Sequence, residues 1–145
     1  MHVPRIIALL AATVLLQGCT ATQLSWWRAA DADDQSAVTE WIVRNAAGEF
    51  DVDARVLLAL AVCESGMNPA ARNQRSTAAG LFQYLDTTWD AARTRLHDRG
   101  IDAEPYSVGD VFNPTAAARV TANVVAEGGL SWWECAPSAR RAADR

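Results

Sequence analysis

The chain has 145 residues and a formal net charge of −4, with 50% hydrophobic against 21% charged residues. That is a globular composition with room for one domain and little for a second. All 13 basic residues are Arg and the only histidines are His2 and His97, which excludes Schiff-base, P-loop and general-base lysines and argues against a histidine metal site or a Ser-His-Asp triad; an acidic chain without a concentrated basic face also argues against nucleic-acid binding.

In chain order, Arg5 precedes Ile6 to Leu16, an uncharged apolar run of 11 residues. The run is too short to span a bilayer as a helix and suits the h-region of a signal peptide. It ends in Leu16-Gln17-Gly18-Cys19, which resembles the bacterial lipobox, where cleavage before the Cys leaves a lipidated thiol. The plainer alternative is a buried helix with an incidental Cys. The expectation is a signal peptide over 1–18 and a lipidated Cys19 with its tether over 19–35, holding an exported lipoprotein on a membrane face toward the periplasm or cell wall. The tether carries Trp26 and Trp27, which either dock on the domain or lie at the membrane interface.

Helix signals dominate from there. Ser36 can cap a helix with Val38, Trp41 and Ile42 on its inner face and Gly48 near its end. Asp53 can cap Ala54 to about Cys63, which is apolar almost all round, as a central buried helix would be. Thr87 or Thr88 can cap a helix through Trp89, Ala92 and Leu96 that stops near Gly100. Asn113-Pro114 is an N-cap followed by Pro at the first helical position, and Gly128-Gly129 ends that helix. With 29 Ala in the chain, the fold is expected to be mainly α, with at most a short β element near Leu81–Leu85. The domain is expected over 36–135, followed by a frayed, flexible tail over 136–145. In an oxidising compartment Cys63 and Cys135 are expected to pair, against the alternative of two buried free thiols.

Chemistry concentrates at Cys63-Glu64-Ser65-Gly66. A Glu at the edge of an apolar helix is poorly solvated, which raises its pKa toward neutrality and suits it to donate a proton to a glycosidic bond. A solvated Glu at a helix end is the plainer alternative. The chain continues with Met67-Asn68-Pro69, then Ala79-Gly80-Leu81-Phe82-Gln83, then Thr88-Trp89. The two blocks, in this order and spacing, resemble the catalytic domain of soluble lytic transglycosylases, which have a goose-type lysozyme fold. Glu64, Ser65, Pro69, Gly80, Leu81 and Gln83 match the pattern, and Phe82 stands where Met is usual. A Cys before the Glu and another after a Trp-containing segment, here Cys63 and Cys135 after Trp132-Trp133, resemble the resuscitation-promoting factors and support the Cys63–Cys135 pairing.

The resemblance implies a small lysozyme-like domain that acts on peptidoglycan glycan strands, as a monomer and without metal or organic cofactor. Glu64 would be the single acid/base, cleaving between N-acetylmuramic acid and N-acetylglucosamine and closing a 1,6-anhydro ring. Ser65 and Gln83 would bond sugar groups, and Gly80 would let backbone approach the glycan. Leu81 and Met67 are expected to pack. The family's late Ala-Tyr-Asn triplet is missing: Asn123 follows Ala122 without the Tyr, so Tyr84 and Tyr106, the only tyrosines, are the candidates to enter the cleft. Asp86, Asp90 and Asp110 are candidates for a second carboxylate, which would make the enzyme a hydrolytic muramidase instead. A non-catalytic peptidoglycan-binding envelope lipoprotein is the alternative from another class. Trp41 and Trp89 are expected in the core. Trp132 and Trp133 cannot both face inward in one regular helix, which leaves one for packing and one to cover the bridge or meet a sugar.

Overall fold

The computed structural model describes residues 32–101 and 108–145. The lipobox, Cys19, Trp26, Trp27 and Tyr106 lie outside the described residues. Among the described residues there are five α-helices: α1 (Ala32–Glu49), α2 (Ala54–Ser65), α3 (Asp86–Asp98), α4 (Pro114–Ala126) and α5 (Ala136–Ala143). Two 3-10 turns, Val108–Phe112 and Gly129–Trp132, flank α4. Among the described residues there is no strand, and no helix is long and apolar enough to cross a membrane. The expected β element near Leu81–Leu85 is reduced to two isolated bridges, Arg72 with Ala79 and Ala79 with Tyr84.

The caps that the sequence marks are made. Asp53 accepts from the Arg55 amide at 2.9 Å. Asn113 accepts from the Thr115 and Ala116 amides at 3.0 and 3.3 Å, with Pro114 at the first helical position. At the other end of α2, Gly66 takes φ 63°, and the Gly66 and Met67 amides donate to the Val62 and Ala61 carbonyls. Helix α3 starts before Thr87 and Thr88, at Asp86, and its first amide donates to the Thr77 hydroxyl from a neighbouring loop instead. Likewise α1 begins at Ala32, ahead of Ser36.

The central helix is α4, not the segment after Asp53. Helix α4 buries residues on every side, from Pro114 and Ala116 through Val120 and Thr121 to Val124. It packs against α1, α2, α3 and both 3-10 turns. Alanine methyls let those neighbours approach its axis closely. Helix α2 instead buries one face, Val56, Leu57, Leu60 and Ala61, and leaves Val62 58% exposed.

Two further expectations are corrected. Trp41 is 66% exposed, because α1 turns Thr39, Val43, Ala46 and Ala47 inward. That stripe recurs at helical spacing, and its small residues suit the close approach to α4 better than an indole would. Residues 136–145 are not a frayed tail: 136–143 form α5, whose buried Ala136 and Ala139 pack it against α2. This face supplies the apolar cover that the short helix could not find in solvent. Trp89, Ala92 and Leu96 of α3 are buried as read from the sequence. With Leu81 and Phe82 they fill much of the core, at about 1.5–3 kcal/mol of burial for each large aliphatic or Phe side chain.

Candidate functional site

Glu64 occupies the last turn of α2, just before the left-handed Gly66 turns the chain away. Its side chain is about half-buried against the segment that comes after α4. The Cys135 amide donates to Glu64 Oε1 at 3.4 Å. Burial pushes the Glu64 carboxyl above its ordinary value; the Cys135 amide pulls it back, and the nearby Glu134 carboxylate pushes it up again. The balance is a carboxylic acid that keeps its proton to higher pH than a solvated Glu, which is the property of a general acid.

The bridge expected from the sequence is present: Cys63 and Cys135 are disulfide-bonded, with Cα atoms 6.0 Å apart and a separation of 72 residues along the chain. Two residues earlier, Trp133 is buried and its indole N–H donates to the Phe82 carbonyl at 2.8 Å. The segment from Trp133 to Cys135 is therefore fixed to the Leu81–Phe82 turn at one end and to α2 at the other.

Ser65, next to this acid in the chain, and Gln83 both spend hydrogen bonds on backbone. The Ser65 hydroxyl donates to the Leu81 carbonyl at 2.8 Å and accepts from the Asn68 amide at 3.1 Å. Gln83 Nε2 donates to the Gly80 carbonyl at 2.9 Å, from a backbone held at φ 51°. Ser65 ties the end of α2 to the turn at Gly80–Tyr84, and Gln83 braces that turn from within.

Gly80 has a different reason from the expected one. It takes φ 76°, and a Cβ there would stand 2.1 Å from the Val111 carbonyl oxygen. The backbone that approaches it is the protein's own 3-10 turn. Tyr84 is not in a cleft either. It is buried, its hydroxyl is 3.1 Å from Thr121 Oγ1, and its ring meets the Trp89 and Trp133 rings edge-on at 5.3 and 5.4 Å. Burial pushes its phenol well above the usual range. Leu81 is fully buried, and Met67 packs half-buried against the core, as the sequence leads one to expect.

Of the carboxylates weighed as partners, Asp90 is ion-paired with Arg93 and Asp86 borders a surface hollow of about 280 Å³ beside Arg72 and Phe112. Neither these nor Asp110 is among the groups that shift Glu64. The carboxylate that does is Glu134, which the sequence reading missed. Its signal was available: pairing Cys63 with Cys135 brings the neighbours Glu64 and Glu134 together.

Aromatic surface lies on the same segment. Trp132 is 39% exposed, stacks on Trp133 and carries the Arg95 guanidinium 4.9 Å from its ring centre. It forms one wall of an open hollow of about 360 Å³ lined by Thr87, Thr88 and Ala91. Among the described residues no three His, Cys, Asp or Glu side chains converge as a metal site.

Residues 42–133 match the family described as the Transglycosylase SLT domain, a span that covers both motif blocks, Glu64 and the whole of α2 to α4. No curated protein sequence matches the chain.

Proposed function

The chain belongs to the transglycosylase SLT domain family, and on that premise we propose that it is a peptidoglycan lytic transglycosylase with Glu64 as its single acid/base. The observation that carries this reading is the half-buried Glu64 carboxyl at the end of α2, held above its ordinary protonation range by burial. The protonated acid gives its proton to the oxygen between N-acetylmuramic acid and N-acetylglucosamine as the bond from C1 to that oxygen breaks. The resulting carboxylate takes the proton of the muramoyl 6-hydroxyl while O6 bonds to C1, which closes the 1,6-anhydro ring. No water is consumed, and Glu64 ends as it began, protonated.

Ser65 and Gln83 then serve mainly to hold the turn beside the acid, and Gln83 Oε1 is the atom that can accept from a sugar hydroxyl. Trp132 with Thr87 and Thr88 supplies an aromatic face and hydroxyls of the kind that meet a sugar ring. The N-terminal reading completes the proposal: residues 1–18 are a lipoprotein signal, Cys19 carries the lipid, and the domain works from a membrane face on the cell wall. The cysteine placement of the resuscitation-promoting factors supports export, because the Cys63–Cys135 bridge needs an oxidising compartment.

Glu134 gives one reason to keep hydrolysis as a second reading, because a second carboxylate near the acid is what a water-activating muramidase requires. The masses of the products separate the two. Purified peptidoglycan digested by the full chain should yield anhydro ends, one water lighter than reducing ends; reducing ends alone mean a muramidase. Glu64→Gln should abolish cleavage in either case, and wild-type activity in that variant removes Glu64 as the acid.

A further inference from the structure

One covalent link brings two groups to the acid. The bridge joins the residue before Glu64 to the residue after Glu134, and the bridged Cys135 is also the residue whose amide reaches Glu64 Oε1. Cys63 is exposed and Cys135 half-buried, so a dithiol in solvent can reach the bond. The flanks of this segment have anchors of their own. Trp133 is held by the Phe82 carbonyl at 2.8 Å, and α5 begins with the Ala136 and Ala139 amides donating to the Trp133 and Cys135 carbonyls at 3.1 and 3.2 Å. Opening the bridge therefore loosens Glu134 and Cys135 against α2 while Trp133 and α5 stay docked.

Resting on the reading of Glu64 as the acid, we propose that the Cys63–Cys135 bridge is a positioning element for it: closed, it holds the Cys135 amide on the Glu64 carboxylate, and opened by thiol–disulfide exchange it releases that amide and moves the pH range of glycan cleavage. The exchange is balanced by an external dithiol. One of its thiolates forms a mixed disulfide with Cys63 or Cys135, its second thiol displaces that cysteine, both cysteines become thiols and the dithiol becomes a cyclic disulfide.

The direction of the effect is set by what each neighbour does. The amide favours the charged carboxylate, so its loss, with burial kept by the docked Trp133, lets Glu64 hold its proton to higher pH. Glu134 repels that charge, so loosening it works the other way, but it is the smaller of the two neighbours' effects and the net movement is upward. Other charged groups on the elements packed against α2 include Asp34 and the Arg44–Glu40 and Arg119–Glu49 pairs involving α1, and Arg140 and Arg141 in the last turn of α5; none of them is among the groups that shift Glu64.

The test measures kcat and KM against pH for the full chain on purified peptidoglycan, with the bridge closed, reduced by dithiothreitol, and replaced in a Cys63→Ser, Cys135→Ser double variant, alongside far-ultraviolet circular dichroism. In both open forms the alkaline limb should move to higher pH, because the carboxylate loses the amide that favours its charged form. On the plateau below that limb, kcat of the open forms should fall while KM and helix content hold, and reoxidation should restore the reduced wild type. An alkaline limb that is the same with the bridge open and closed overturns the proposal, as does helix loss in step with activity in the reduced wild type. If the double variant does not fold, the reduced wild type decides: with helix content held, an alkaline limb that stays where the closed form has it overturns the proposal. Cleavage by Glu64→Gln is the separate outcome that overturns the acid assignment beneath it.

Discussion

Replacing Gly80 by Ala separates the two reasons for a glycine at this position. At φ 76° the new Cβ stands 2.1 Å from the Val111 carbonyl oxygen, 3.0 Å from its carbon and 3.3 Å from Cγ2. The nearest atom is backbone and cannot rotate away, so the 3-10 turn before α4 has to shift. The left-handed conformation costs an L-residue roughly 1–2 kcal/mol, and forcing extra volume into packed structure adds about 1–3 kcal/mol. The sum is about 2–5 kcal/mol, a large share of the roughly 5–15 kcal/mol typical of a domain. In a domain of this size each kcal/mol lowers the melting temperature by about 4–8 °C. Two further glycines calibrate the terms. Gly66→Ala, at φ 63° with nothing within 4 Å of the new Cβ, should show the conformational cost alone. Gly48→Ala, in α1 with open space around it, should raise stability by about 0.5–1 kcal/mol. Thermal unfolding of the three oxidised variants, monitored by circular dichroism, gives the ranking. A Gly80→Ala protein that melts with wild type but cleaves glycan poorly would refute the steric argument and restore Gly80 as the place where backbone meets substrate.

Glu64→Gln should melt higher than wild type near neutral pH. A carboxyl with a raised pKa in the folded state favours folding below its unfolded value, near 4.5, and loses that contribution as pH rises through the folded value; the gain should therefore vanish in melts run well below pH 4.5, and an equal gain at both pH values contradicts the linkage. Ser65→Ala leaves the Leu81 carbonyl without its hydroxyl donor and the Asn68 amide without its hydroxyl acceptor. It should cost about 1–2 kcal/mol in urea unfolding, and a midpoint unchanged at constant slope would show that solvent replaces both bonds.

What the sequence made legible was local. Asp53 and Asn113-Pro114 cap the helices they mark because a cap is settled within three residues. Trp89, Ala92 and Leu96 recur at helical spacing with mostly polar neighbours between, so the buried face of α3 has one solution. The half-burial of the Glu64 carboxyl was legible through its setting, an apolar helix ending in a carboxyl. What was missed depended on partners far along the chain. In α1 the apolar residues Trp41, Ile42 and Val43 stand side by side, and only the Ala-rich surface of α4 decides that Val43 turns inward. The segments 54–63 and 114–126 are both apolar enough to be central; the number of elements around each settles it, and that is tertiary. Tyr84 bonds Thr121 and Ser65 bonds Leu81, so polar side chains that read as ligands for a substrate are occupied by the protein itself.

The composition of α4 sets how this domain tolerates mutation. Its inward surface is made of Ala116, Ala117, Ala118 and Ala122 beside Val120 and Val124, so the elements around it rest largely on methyl groups. Growth at any of those alanines drives helices apart and costs about 1–3 kcal/mol, whereas Trp41, the most exposed large hydrophobic side chain among the described residues, faces solvent. Variation in such a domain is expected to spare its smallest residues and to accumulate at one of its largest, the reverse of what residue size alone would suggest.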